Sequence, residues 1–162
     1  MSIFLRIAGG ALLLGGAALA SGAYKRYAEG QLAMLEDFYE LLSHIKERIS
    51  VYLSPQSALL SDFRCETLEE CGFIPVYREC GSLHTAFKSA RISLCSDAKR
   101  LLSSFFESFG KGYKNEEIAR AESAGAECKR ILERERENVP RDVRLAGVLI
   151  SSLALAVFIL II

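Results

Sequence analysis

Two uncharged apolar segments, one at each end of the chain, constrain the fold more than any other feature of the sequence. Residues 7–23 and 145–162 contain no Asp, Glu, Lys or Arg. A helix needs about 20 apolar residues to cross a bilayer, with about 17 as the lower limit. The sequence therefore predicts transmembrane helices at 1–23 and 145–162, separated by a charged domain at 24–144.

Basic residues beside the two apolar segments predict on which side of the membrane this domain lies. Lys25 and Arg26 directly follow the first segment. Four arginines precede the second segment: Arg134, Arg136, Arg141 and Arg144. Because the cytoplasmic flanks of membrane helices carry an excess of Lys and Arg, we expect a two-pass protein of the cell membrane with a cytoplasmic central domain.

The first segment also has the pattern of a cleaved signal peptide. Arg6 would be its charged start, and Ala18-x-Ala20 or Ser21-x-Ala23 would precede the cleavage site. The alternative is then an exported structural protein, anchored by its C-terminal helix, with oxidised cysteines. Against it, Lys25 follows the segment at once, and the five cysteines form no CxxC pair, which fits reduced thiols.

Small residues recur at helical spacing within both apolar segments. They are Ala11, Gly15, Ala18 and Gly22 in the first segment, and Gly147 and Ser151 in the second. Small side chains let helix backbones approach closely in lipid, so the segments could pack on each other or on another membrane protein. Gly and Ala are also simply common in membrane helices, and the sequence leaves both interpretations open.

The central domain begins with an apolar stripe at steps of three and four residues. The stripe consists of Leu32, Leu35, Phe38, Leu42, Ile45, Ile49 and Tyr52. This period predicts one helix that runs from the first apolar segment to about Ser50. The stripe could form a coiled coil with a second copy, but its length of about three heptads favours a core within the domain.

The middle of the domain has weaker signals. Ser54 and Pro55 predict the start of a helix that carries Leu59, Leu60 and Phe63 inward. Residues 65–82 predict a loop with one short helix over 67–71. A helix over 83–94 follows, and then another that Ser96 caps and that ends at Gly110.

The last helix is predicted to start at Asn115. Its buried seam would consist of Ile118, Ala121, Gly125, Cys128 and Leu132. The small residues of this seam fit either weak packing or close approach to a neighbouring helix. Pro140 predicts a kink or a break over 138–141. No strand alternation is sustained, so the sequence predicts an all-α protein, an antiparallel helical bundle flanked by two transmembrane helices.

The chain carries no motif that predicts catalysis, a cofactor or a metal. Gly110-Lys111-Gly112 lacks the spacing of a phosphate-binding loop. Cys71, Cys80 and His84 match no standard zinc spacing. The net charge is zero and both signs are mixed, which disfavours nucleic acid as a partner. We expect a non-enzymatic protein.

One charged stretch just before the second apolar segment is the candidate partner-binding surface. Its candidate residues are Lys129, Arg130, Glu133, Arg134 and Glu137. Mixed charges on a helix are usually a solvated face, whereas their nearness to the membrane would suit a cytoplasmic partner. The sequence does not decide between these two interpretations.

The last sixty residues resemble stage III sporulation protein AB. The resemblance rests on LLSSFFESFGKG at 101–112, on Glu116-Glu117-Ile118, and on Arg144-Leu145-Ala146-Gly147 at the start of the terminal apolar helix. The N-terminal half agrees in layout, including Ser54-Pro55. The chain departs from the family after Gly112, where an Asp and a Gln are usual, and at Pro140, where the family's last helix runs unbroken.

This resemblance implies a subunit of the sporulation channel complex in the mother-cell membrane around the forespore. The family's cytoplasmic domain is similar to that of the type II secretion F platform protein. The resemblance therefore implies an adaptor that couples a cytoplasmic ATPase, stage III sporulation protein AA, to other membrane subunits of the channel. It implies no catalytic residue and no cofactor, with membrane lipid as the further contact.

Overall fold

The computed structural model describes residues 3–52 and 59–161, and within them the chain is helical without strands. Six α-helices and one π-helical turn, Arg48–Tyr52, make up this part of the chain. The α-helices are α1 (Ile3–Glu47), α2 (Glu66–Glu70), α3 (Phe73–Cys80), α4 (Leu83–Ser89), α5 (Ser96–Ser108) and α6 (Lys114–Ile161). The predicted all-α class is confirmed.

The helices form two compact units. Gln31–Arg134 is one unit, called here the core domain. Met1–Gly30 and Glu135–Ile162 form the other, called here the terminal-helix unit. Both long helices, α1 and α6, contribute residues to both units.

Phe38 on α1 lies at the centre of the core domain. Its side chain is fully buried, and its ring centroid lies 5.4 Å from that of Phe73 and 5.7 Å from that of Phe87. The ring of Phe106 on α5 lies within 6.3 Å of it. Aromatic pairs at these separations add stabilisation beyond the area that they bury. One residue of the predicted stripe therefore joins α1 to α3, α4 and α5.

The remaining members of the α1 stripe face the same core, with lower burial at its ends. Leu35, Leu42 and Ile45 are buried, and Leu32 and Ile49 are half-buried against the cluster. The side chain of Tyr52 lies outside the described residues.

Two polar contacts give the relative direction of α1 and α6 within the core domain. Lys46 of α1 pairs with Glu122 of α6, and the Lys114 ammonium of α6 donates to the carbonyl of Ser50. From the first contact to the second, the residue number increases in α1 and decreases in α6, so the two helices are antiparallel there.

The predicted helix from Ser54 is not found where the structure describes the chain. Ser54 and Pro55 themselves lie outside the described residues, but residues 59–65 form turns and irregular backbone. Leu59, Leu60 and Phe63 are nevertheless buried, as predicted. An apolar side chain can be buried even where the backbone is not helical. The predicted inward positions are therefore confirmed, whereas the predicted helix is wrong over 59–65.

The short helix predicted over 67–71 is confirmed by α2, whose bounds lie one residue earlier, whereas the loop predicted for the rest of 65–82 is wrong, because α3 occupies most of it. Pro75 is the third residue of α3, where the missing N–H would have had no intrahelical partner. Gly72 at φ +88° and Gly81 at φ +66° take left-handed backbone at the two ends of this helix. Gly72 and Gly81 are therefore the caps of α3, and Pro75 lies in its first turn.

The helix predicted over 83–94 is shorter than expected. The Ser82 hydroxyl accepts the backbone N–H of Thr85 at the start of α4, and Ala90 is extended at its end. The backbone N–H of Arg91 then donates to the carbonyl of Cys71 at 2.9 Å, a long-range bond that draws the chain out of the helix. Downstream, Cys95 caps α5, and Ser96 is its first residue.

Helix α6 runs unbroken through Pro140, so the predicted break over 138–141 is wrong. A proline inside a helix removes one N–H and clashes with the carbonyl four residues before it, but the bonds on either side persist. The helix starts at Lys114, one residue before the predicted start. The charged and apolar stretches of the C-terminal third therefore belong to one helix.

One helix of the described residues, Lys114–Ile159, contains a window long and apolar enough to cross a membrane, with a mean hydropathy of 1.9. In the structure, large apolar side chains of the terminal part of α6 are exposed, such as Leu149 at 69% and Leu153 at 67%. The first predicted span begins at residues 1 and 2, outside the described residues, and many of its side chains are not described. The second predicted transmembrane helix is therefore supported, and the first is not confirmed.

Candidate partner surface on the last helix

The candidate residues of α6 pair mostly with neighbours on their own helix. The Lys129 ammonium lies 4.0 Å from the Glu133 carboxylate, and the Arg130 guanidinium lies 3.0 Å from that of Glu127. These groups are exposed or half-exposed, and such pairs contribute about 0.3–0.5 kcal/mol. A partner with charges of its own could replace them at small energetic cost.

Arg134 differs from these candidates because it reaches a carboxylate on another helix. Its guanidinium donates to the Asp97 carboxylate of α5 at 2.7 Å, and this hydrogen bond holds the pKa of Asp97 below its usual range. On the other side of α6, Lys46 lowers the pKa of Glu122 in the same way, at 2.8 Å. These two cross-helix pairs fix α6 between α5 and α1.

Glu137 is exposed and belongs to the terminal-helix unit, whereas the other four candidates belong to the core domain. The stretch predicted as one patch therefore crosses the division between the two units. Within the core domain, the candidate surface consists of Lys129, Arg130, Glu133 and Arg134.

Two grooves flank the first half of α6, and the sequence pattern predicts neither. The groove between α1 and α6 has a volume of about 140 Å³ and is lined by Tyr39, Ser43, Gly125, Ala126 and Lys129, among others. The groove between α5 and α6 has a volume of about 210 Å³. Small residues on α6 leave both grooves open.

The small residues of α6 form a buried group and a less buried group, and the predicted seam contained members of both. Ala121, Ala124 and Cys128 are buried, whereas Gly125 is half-buried and a Cβ placed there would meet no atom within 4 Å. Of the two interpretations that the sequence left open, close approach of a neighbouring helix at Gly125 is not found, and weak packing at that position fits the structure. Ala124 was not predicted to be buried, because the predicted seam passes through Gly125, the next residue along the helix.

Glu117 organises the turn that leads into α6. Its carboxylate is buried and accepts the backbone N–H of Gly112 at 2.8 Å and the Arg120 guanidinium at 3.2 Å. A Cβ on Gly112 would lie 2.9 Å from this carboxylate and 2.8 Å from that of Glu116. Gly110 takes left-handed backbone at φ +82°. The left-handed backbone favours glycine at Gly110, whereas a side chain at Gly112 would require the carboxylates of Glu116 and Glu117 to shift.

Four of the five thiols and both histidines are partly or fully buried in the core domain. Burial raises the pKa of Cys128 to about 11 and also raises the pKa values of Cys65 and Cys71. Thiols with raised pKa values stay protonated near neutral pH, which makes them poor nucleophiles. The His44 ring is hydrogen-bonded to the Leu59 carbonyl at 3.1 Å. Within residues 3–52 and 59–161, no three His, Cys, Asp or Glu side chains are grouped as a metal site.

The small residues of the terminal-helix unit are placed differently from the predicted stripe. A Cβ on Gly147 would lie 3.2 Å from the Ser21 hydroxyl, so α1 and α6 approach closely at that point. Gly15 and Gly22 have no neighbour within 4 Å of such a Cβ, and Ala18 and Ser151 are exposed. The side chain of Ala11 lies outside the described residues.

The face of α1 that meets α6 contains Ser21 and so lies one residue before the predicted stripe at Gly22. One residue corresponds to a rotation of about 100° around the helix. Of the six small residues predicted to pack, only Gly147 has a described contact across the two helices. Comparison with protein-family models, with curated proteins and with solved structures finds no match for the chain.

Proposed function

We propose that this chain is a non-enzymatic platform subunit in the cell membrane, which couples a cytoplasmic ATPase to membrane components of a sporulation channel complex. The observation that carries the proposal is the continuity of α6. One helix contains both the charged candidate surface of the core domain and the stretch that is apolar enough to span a membrane. A force that a bound partner exerts on that surface would be transmitted along one continuous helix into the membrane.

The proposed topology has two spans and a cytoplasmic core domain. It is supported by the exposed apolar side chains at the end of α6 and by the cations that border both apolar segments. The five thiols are free, including the exposed Cys80, which fits a reducing compartment. The mother-cell membrane around the forespore is the location that the resemblance to stage III sporulation protein AB implies.

The proposed partner is an ATPase similar to stage III sporulation protein AA. Its docking site would be the exposed charges of α6 in the core domain, with the groove beside Lys129 open to an inserted side chain. Lys129 and Arg130 form only weak pairs along their own helix, so both remain available for exchange. We expect an interface that is polar and weakened by salt.

A pull-down in detergent tests this proposal. The full-length chain is immobilised and offered the purified sporulation ATPase of the same organism at low salt and at roughly tenfold higher salt. We expect binding that falls at high salt, because salt screens the charges of the interface. The variant K129E/R130E, which reverses two charges on the candidate surface, should reduce binding at least about tenfold.

The matched control reverses two exposed charges elsewhere on the core domain, in the variant E79K/K88E. Both residues are exposed and lie on α3 and α4, away from the candidate surface. We expect this control to bind as the original chain does. Absence of binding at both salt concentrations would reject the ATPase as a partner, and equal losses in both variants would reject the α6 surface.

The alternative is an exported structural protein anchored by α6 after cleavage of the first segment. One observation favours it: in the described residues, α6 is the one helix that meets the length and composition of a membrane span. N-terminal sequencing of the mature protein separates the two functions. A start near Ser21 or Tyr24 supports export, and an intact first segment supports the platform.

A further inference from the structure

Four cations of the terminal-helix unit stand next to its two apolar segments. Lys25 and Arg26 follow the first segment, and Arg141 and Arg144 precede the second. All four side chains are exposed. The inference about a ligand for these cations rests on the proposed membrane function.

The close approach of Ser21 and Gly147 brings the two cation pairs to the same level. Helices α1 and α6 are each continuous and antiparallel at the Lys46–Glu122 contact, so they also run in opposite directions where Ser21 meets Gly147. At 1.5 Å per residue, the cations of α1 lie about 6–8 Å beyond Ser21 along the axis. By the same rise, those of α6 lie about 4–9 Å before Gly147.

These cations are largely without protein partners. In the part of the chain that the structure describes, Arg26, Arg141 and Arg144 make no ion pair or hydrogen bond through their side chains. Lys25 lies 3.7 Å from the Glu29 carboxylate in an exposed i,i+4 pair, which contributes little. Three guanidinium groups without a protein partner therefore lie at one level and form a positive band with Lys25.

Acidic side chains are sparse at this level and more frequent beyond it. Asp142 is exposed and lies between the two arginines, so the band has four cations and one anion. Glu29 and Glu137 lie about 12–15 Å from the level of the Ser21 contact, on the side away from the apolar segments. The charges nearest the apolar surface are therefore mainly positive.

Two tyrosines border the same band on α1. Tyr24 is 41% exposed and Tyr27 is 58% exposed, beside Lys25 and Arg26. Tyrosine is enriched at the level of lipid headgroups because its ring is apolar and its hydroxyl is polar. This second observation places the band at the boundary between hydrocarbon and water.

We infer that Lys25, Arg26, Arg141 and Arg144 form a binding site for anionic phospholipid headgroups, one that both helices build together. Guanidinium groups bind phosphate oxygens in pairs of parallel hydrogen bonds. Basic residues beside a membrane gain affinity for anionic lipid, each by about fivefold. Two helices that contact the same headgroups are held at a common depth.

Native mass spectrometry of the full-length chain in mild detergent tests this inference. The purified protein is offered equal amounts of phosphatidylglycerol and phosphatidylcholine of the same acyl chains. We expect phosphatidylglycerol to be retained preferentially. The variant K25Q/R26Q/R141Q/R144Q should lower that preference at least about tenfold, and each pair alone should lower it less.

The control neutralises four exposed cations of the core domain, in the variant K88Q/R91Q/K99Q/K111Q. We expect it to retain the preference for phosphatidylglycerol. Equal retention of the two lipids by the original chain, an unchanged preference in the first variant, or an equal loss in the control would each overturn the inference.

A separate arm distinguishes this inference from the proposed function. Flotation with pure phosphatidylcholine vesicles, washed at alkaline pH, reports membrane integration without anionic lipid. Integration without a phosphatidylglycerol preference leaves the platform function standing and overturns the lipid site. Failure to integrate overturns both, and the ATPase pull-down is unaffected by either result.

Discussion

The two units of this protein use leucine in opposite ways. In the core domain, Leu42 and Leu102 have no exposed surface, whereas Leu149 and Leu153 of the terminal-helix unit are about two-thirds exposed. In water, exposed leucine costs free energy, and burial stabilises by about 25 cal/mol per Å². In lipid that cost disappears, so the exposed leucines of α6 are compatible with the membrane span that we propose there.

Small residues show the reverse pattern. In the terminal-helix unit the contact between helices is made by Ser21 and Gly147, and Ala154 is buried. In the core domain the centre is aromatic, with Phe38 surrounded by three other rings. In lipid the hydrophobic effect does not drive helices together, so their association depends on packing where the two backbones approach closely. Substitutions in both units test this contrast, and they are given in order of decreasing effect.

Replacing the central ring of the core domain should have the largest effect. We expect Phe38→Ala to lower the free energy of unfolding by about 3–5 kcal/mol, because it leaves a cavity between α1, α3, α4 and α5. Urea unfolding of the detergent-solubilised chain, followed by circular dichroism, measures this. Leu149→Ala, at an exposed position, should change the midpoint little, and a comparable loss there would break the contrast.

A charge in the exposed apolar part of α6 should impair membrane insertion. We expect Leu153→Arg to cost about 2.5–3.5 kcal/mol of insertion free energy, the range for arginine at a membrane helix centre. Carbonate extraction of membranes that express the variant measures the soluble fraction. Ala119→Arg, at an exposed position of the same helix in the core domain, is the control, and equal extraction of the two would argue against a span at Leu153.

Enlarging the glycine at the helix contact should separate the two terminal helices. Gly147→Leu places side-chain atoms where a Cβ alone would lie 3.2 Å from the Ser21 hydroxyl. We expect a loss of about 1–3 kcal/mol in thermal or chemical unfolding of the terminal-helix unit. Gly15→Leu adds the same bulk where nothing lies within 4 Å and should have no such effect.

Removing the buried carboxylate of the α5–α6 turn should destabilise the core domain moderately. Glu117→Ala leaves the Gly112 N–H without its acceptor and Arg120 without its buried partner. We expect a loss of about 1–3 kcal/mol by urea unfolding. Glu116→Ala, at the exposed neighbouring position, serves as the control, and a larger loss there would assign the turn to the wrong acid.

The smallest expected effect is the pH dependence of the Asp97–Arg134 pair. Arg134 lowers the pKa of Asp97 in the folded state, so the pair stabilises above the unfolded pKa and the contribution is lost as the pH falls through the folded pKa. Arg134→Gln should therefore lower Tm slightly near neutral pH and leave it unchanged in acid, where the carboxyl is protonated. A Tm difference that grows in acid would contradict this sign.

Periodicity in the sequence was a reliable guide to the long helices, because each of them buries one continuous face. The steps of three and four from Leu32 to Ile49 predicted the part of α1 that lies in the core domain. Short helices have too few turns to show a period. For that reason α3 was predicted to be part of a loop, although the short helix α2 was predicted to within one residue of its bounds.

The candidate site was predictable as a charged stretch but not as a surface. Lys129, Arg130 and Glu133 are exposed on α6, as a mixed-charge helix face should be. The partner of Arg134 on α5 lies 37 residues away along the chain, and the groove beside Lys129 is completed by α1. Contacts between residues so far apart depend on how helices pack, which local sequence does not encode.

Local chemistry was enough to establish the helical backbone, the apolar segments at both ends of the chain and the buried stripe of α1. The tertiary structure established three further features: α6 continues through Pro140, Ser21 rather than Gly22 faces Gly147, and Gly125 borders an open groove. Neighbouring residues of a helix point about 100° apart. The composition of the segment does not show which of them faces the other helix. Only the packed neighbour distinguishes the two.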